Sequence, residues 1–149
     1  MVAGALLALA VAMGLLVASL FRTDGLGFVW ASLAVDLVAA VLAAPDARRV
    51  AALPGGAGRV AVVVSRRRGQ AVVEASGLAP APAGRTYQLW VVGRSGPRPA
   101  GLVEAGRGRV TRLLDGPVTG NEQVAMTVER RGGAARPTSE PVAVVDLGA

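Results

Sequence analysis

The sequence predicts an all-β fold: an antiparallel β-sandwich of about seven strands over residues 45–149, preceded by a transmembrane helix at 1–21 and an apolar, helical connector or second membrane span at 22–44. Three observations predict it. Short Val-rich runs recur after Pro45, and none carries the 3.6-residue period of an amphipathic helix. Twenty Gly and nine Pro in 149 residues supply turns between them. Ahead of Pro45 the chain is nearly free of charge, with only Arg22, Asp24 and Asp36 among its first 44 residues.

Met1 to Phe21 contains no charged side chain. A helix of that length crosses the roughly 30 Å hydrocarbon core of a bilayer. The competing reading is a signal peptide, whose apolar core of about 7–15 residues normally follows a basic segment. No basic residue precedes this run. Arg22 to Gly25 then interrupts it, and Leu26 to Ala44 is apolar apart from Asp36. As a juxtamembrane connector this stretch would seat Phe28 and Trp30 at the interface. As a second span it would place Asp36 inside the bilayer, at a cost of about 2.5–3.5 kcal/mol on insertion scales. Arg22 lies on the outer side of a single-span arrangement, against the tendency of positive residues to stay inside, whereas a two-span hairpin puts it in the cytoplasm. Both arrangements export the C-terminal domain.

Pro45 ends the helical stretch, because it lacks an amide donor and restricts the residue before it. The strand expectations that follow are Gly58–Ser65, Gln70–Ser76, Arg85–Val92, Ala100–Glu104, Gly108–Leu114, Gln123–Glu129 and Val142–Leu147. Arg66 to Gly69 reads as a hairpin turn, Pro80 to Gly84 as a longer connection, and Gly96 to Pro99 as another. Alternation sends Val60, Val62 and Val64 to one face of the first strand and Ala61, Val63 and Ser65 to the other. Burying each Val contributes roughly 1.5–3 kcal/mol, so Asp at Val62 or Val128 is expected to unfold the domain.

Hydrophobic residues make up 52% of the chain and aromatics only 3%, so Val, Ala and Leu must build the interior. With no His and no Cys, the usual metal ligands, the usual general base and any disulfide are missing. An enzyme is not expected, and no catalytic, cofactor-binding or metal-binding residue is assigned. Asp115, Glu122, Glu129, Glu140 and Asp146 are dispersed, with no spacing that suggests an acid–base pair. Gly106–Gly108 and Gly132–Gly133 lack the lysine and pattern of a phosphate loop. All sixteen basic residues are Arg, a bias that reads as codon usage in a GC-rich genome. The net charge of +6 is scattered among turns and does not mark a nucleic-acid groove. Its densest cluster, Arg66 to Arg68, reads as a solvated hairpin tip, with anionic headgroups or an acidic partner as the alternative. Tyr87 and Trp90 are either core residues, Trp90 plugging the sandwich with its N–H on a strand carbonyl, or the exposed platform of a binding groove.

Three segments carry a resemblance: TYQLWVVGRSGPRPAGLV (Thr86 to Val103), VAMTVERRGGAARPTSEPV (Val124 to Val142) and LAAPDAR (Leu42 to Arg48). Together they resemble the C-terminal extracytoplasmic domain of the anti-sigma-K factor family. The resemblance implies a plasma-membrane protein with an exported sandwich that regulates an extracytoplasmic-function sigma factor. It also implies signalling through a site-1 protease and an intramembrane protease. The family's cytoplasmic sigma-binding domain is absent from these 149 residues. The sigma factor is therefore expected as a partner only through a missing or separately encoded domain. The alternative from another class is a membrane-tethered structural or adhesive sandwich.

Overall fold

The computed structural model describes residues 25–52, 58–104 and 108–148. The membrane helix expected at 1–21 lies outside the described residues. The chain separates into two units, Met1–Leu37 and Val38–Ala149.

Apolar residues without an internal proline form helix α1 (Gly25–Leu42). It ends as Ala43 N donates to Ala39 O at 2.9 Å and Ala44 N to Val41 O at 3.2 Å, the shorter loop that tightens a last turn before Pro45. Leu33, Val35, Leu37 and Leu42 are exposed, Val35 by 68%. Among the described residues no helix is long and apolar enough to cross a membrane.

The described part of the second unit beyond α1 is antiparallel β. Its strands are β1 (Arg48–Ala52), β2 (Arg59–Ser65), β3 (Gln70–Ser76), β4 (Arg85–Gly93), β5 (Gly96–Val103), β6 (Arg109–Leu113), β7 (Gln123–Arg130) and β8 (Ala143–Asp146). They form two four-stranded sheets, ordered β1-β2-β3-β6 and β5-β4-β7-β8. Between the sheets, Val60, Val62 and Val64 of β2 and Val73 of β3 share one apolar cluster with Leu89 and Val91 of β4, Val124 and Met126 of β7, and Val145 of β8. The alternation expected for β2 is therefore correct. Its other face, Ala61, Val63 and Ser65, is buried as well.

Two strand expectations need correction. β1 was not expected: RRVAA offers Val50 as its one bulky apolar side chain. That suffices for an edge strand, whose Val50 packs against the shared core and pairs with Val62. β5 begins at Gly96 rather than Ala100, so Pro97 and Pro99 belong to a strand and not to a turn. The actual turn is Arg94–Ser95, between the paired Gly93 and Gly96. Proline is tolerated here because β5 is the edge of its sheet. The register slips between Leu89 and Trp90, leaving Ala100 as the extra residue of a bulge with its side chain in the core.

Candidate functional site

The three sequence segments singled out above fold into two assemblies. The first lies on the outer face of the β5-β4-β7-β8 sheet. Strand alternation and register place Thr86, Gln88 and Trp90 of β4 beside Glu129, Thr127 and Ala125 of β7, facing away from the apolar cluster. Trp90 is thus fully buried but does not plug the sandwich. Its indole N–H donates to Thr127 Oγ1 at 2.8 Å rather than to a strand carbonyl, which corrects the expectation on both counts. Tyr87 is in the core, and its hydroxyl donates to Ala79 O at 3.0 Å, pinning the connection between the sheets. Neither ring forms an exposed platform.

Segment 131–142 is strapped across this face by polar contacts. The Thr127 hydroxyl passes the Trp90 bond on, donating to Glu129 Oε1 at 2.7 Å. Glu129 also accepts from the Thr138 amide at 2.9 Å and from the Thr138 hydroxyl. Gln88 makes a two-way amide pair with Ala134: Nε2 donates to its carbonyl at 2.9 Å, and Oε1 accepts from its amide at 2.7 Å. Ser139 Oγ donates to Val128 O at 2.9 Å, and Arg131 N to Gly84 O at 2.8 Å. Gly133 lets the strap descend: its φ is +85°, and a Cβ there would sit 2.9 Å from Gln88 Oε1. Among the described residues every buried side-chain N or O atom has a partner.

Glu129 is completely buried, yet it stays acidic. Burial favours the neutral form, but the Thr138 hydroxyl and amide, the Thr127 hydroxyl and the nearby charge of Arg85 together hold its carboxyl below the ordinary range. The sequence did not reveal this role. The signal available was Thr127 and Glu129 at i, i+2, which puts both on the face that also carries Trp90.

The second assembly joins the end of α1 to the β2–β3 hairpin. Asp46 accepts from Ser65 Oγ at 2.8 Å and from the Arg67 amide at 2.9 Å, while the Arg68 amide donates to Ser65 Oγ at 3.2 Å. The Arg67 amide first, and then the Ser65 hydroxyl, lower the Asp46 pKa. Arg66, Arg67 and Arg68 are exposed, as expected of a hairpin tip, but Arg66 Nη2 also donates to Gly120 O at 3.0 Å. At the far end, Glu122 caps its own loop, accepting amides of Thr119, Gly120 and Asn121 between 2.9 and 3.2 Å. Burial opposes ionisation of Glu122, and those bonds outweigh it and lower its pKa. Asp115 pairs with Arg112 at the surface, and Glu140 and Asp146 are exposed. No group of three or more metal-ligating side chains occurs among the described residues.

A family match takes in all three segments. The family model described as "Anti-sigma-K factor rskA, C-terminal" matches residues 1–142. An "Uncharacterized protein in phr 5'region" of Streptomyces griseus is 41% identical over 112 residues, 75% of this chain and 47% of its own. The "Anti-sigma-K factor RskA" of Mycobacterium sp. (strain KMS) is 39% identical over 110 residues, 72% of this chain and 44% of its own. The protein of the same name from Mycobacterium tuberculosis (strain ATCC 25177 / H37Ra) is 38% identical over 112 residues, with 72% and 47% covered. No solved structure matches. The chain spans about half the length of the curated relatives it matches. Trp90, Glu129 and Asp46 lie within the very segments that carried the resemblance, and with the family model covering nearly the whole sequence, the chain belongs to the anti-sigma-K factor RskA C-terminal family.

Proposed function

We propose that this chain is the anchor and outer regulatory domain of a membrane-bound anti-sigma factor acting on an extracytoplasmic-function sigma factor. The observation that carries this reading is its 38–39% identity to proteins named anti-sigma-K factor. The uncharged Met1–Phe21 run supports a membrane anchor, and the exposed Leu33, Val35, Leu37 and Leu42 of α1 support an apolar surrounding for the residues next to it. In this reading the sandwich lies outside the cell, and the sigma factor is held by a helical domain beyond the region described. The sandwich holds Asp46 against the hairpin tip and so controls protease access to Leu26–Ala44. A site-1 cut followed by an intramembrane cut releases the sigma factor.

The test is affinity capture of the tagged protein from detergent-solubilised membranes. A sigma factor, or a small helical protein bound to one, is expected in the eluate. A membrane-fractionated protein that captures neither is a structural or adhesive tether, and a protein found in the soluble fraction has no anchor; either result ends the proposal.

A further inference from the structure

Arg85 opens β4 and Arg130 closes β7, and the register sets them directly opposite each other. Like charges so placed repel. Among the described residues the ion pairs are Arg49–Glu74 and Arg112–Asp115, so neither strand-end arginine is neutralised by one. Arg136, from the strap, joins them around a concavity of about 500 Å³ that Ala134, Ala135 and Thr138 complete, with no carboxylate in its lining. Glu129 feels the charge of Arg85, but Thr127 and Thr138 occupy its oxygens. Arg130 gives only its Nε, at 3.5 Å, to Gly133 O. Three exposed arginines therefore line one hollow, with most of their N–H donors unspent.

We propose that this hollow is an anion site for a phosphate-class group carrying two or more negative charges. A guanidinium fork matches phosphate oxygens bidentately, and a multivalent anion between Arg85 and Arg130 turns a repulsive cross-strand pair into a bridge. A single carboxylate would leave most of the positive charge uncompensated. The site stands on geometry separate from the anti-sigma reading, and a soluble phosphate or pyrophosphate and a lipid headgroup bearing two phosphates both offer this chemistry.

The experiment uses the full chain in uncharged maltoside micelles at fixed ionic strength, titrated with pyrophosphate against chloride and followed by calorimetry and thermal midpoint. One saturable site and a raised midpoint are expected with pyrophosphate. The Arg85→Gln/Arg130→Gln double variant should weaken binding by about tenfold or more, as loss of a charge-assisted hydrogen bond implies. An Arg67→Gln/Arg68→Gln variant at the hairpin tip should leave binding unchanged. Equal weakening by both double variants, or no saturation, overturns the site and leaves diffuse charge. If the first double variant does not fold, Arg136→Gln alone serves, and unaltered binding there is equally fatal. Cardiolipin, whose headgroup carries two phosphates, doped into the micelles and compared with phosphatidylcholine, identifies a headgroup ligand if it displaces pyrophosphate and a soluble phosphate ligand if it does not.

Discussion

The two faces of strands β4 and β7 adhere to their surroundings by different chemistry. Inward, Leu89, Val91, Val124 and Met126 meet the valines of the opposite sheet, a contact that is strong but indifferent to direction. Outward, Gln88 and Glu129 hold segment 131–142 through directed hydrogen bonds, and Trp90 reaches Glu129 through Thr127. The net worth of each such bond is only about 0.5–1.5 kcal/mol, yet leaving a partner unmet costs about 1–3 kcal/mol. The apolar face therefore makes the domain stable, and the polar face makes one conformation of the strap correct.

That contrast can be broken at the apolar side first. Val62→Asp buries an unpaired charge at a fully covered position, and loss of the cooperative thermal transition is expected. A midpoint near that of the parent protein would show that the inter-sheet cluster is not the stabilising one. On the polar face, Glu129→Gln keeps shape and an oxygen for the Thr127 hydroxyl and the Thr138 amide, but removes the charge and puts a donor where the Thr138 hydroxyl met an acceptor. A loss of about 1–3 kcal/mol is expected, with faster proteolytic nicking within 131–142 while the rest of the domain survives. Nicking at an unchanged rate would detach the strap's order from Glu129.

Acid sharpens the same comparison. The folded-state pKa values of Glu129, Glu122 and Asp46 are lowered, so their stabilisation is complete above the ordinary carboxylate values and is lost as pH falls through the folded ones. The thermal midpoint should hold steady from neutrality down to about the ordinary glutamate value of 4.5 and then decline. Glu129→Gln should make the decline shallower, and an identical slope would exclude Glu129 as a contributor. The smallest effect is expected from Asp115→Asn. It removes an exposed pair with Arg112 at 3.3 Å, for which about 0–0.5 kcal/mol is the expected change.

Strands with two clear periodic faces were legible from the residues alone. Gln70–Ser76 is matched at both ends, and RVAVVVS turns its valines as alternation requires. Edge strands were not. RRVAA carries too little apolar signal, and the prolines of GPRPAG signal a turn unless the strand's place in the sheet is known. The outer-face assembly was half legible: spacing put Trp90 and Gln88 on one face, but bulk on both faces of β4 could not say which face met the opposite sheet. Glu129 was hidden for a deeper reason. Its partner Thr138 is nine residues away in a segment without periodicity, and only the folded strap brings them together.

Pro97 and Pro99 also govern how the domain behaves in company. Paired opposite Val92 and Trp90, they remove successive amides from the margin of β5 that points away from its sheet. A stray polypeptide aligning itself there would meet gaps where it needs donors, so stacking of neighbouring copies edge to edge is discouraged. At high concentration that feature works against polymerisation through this edge.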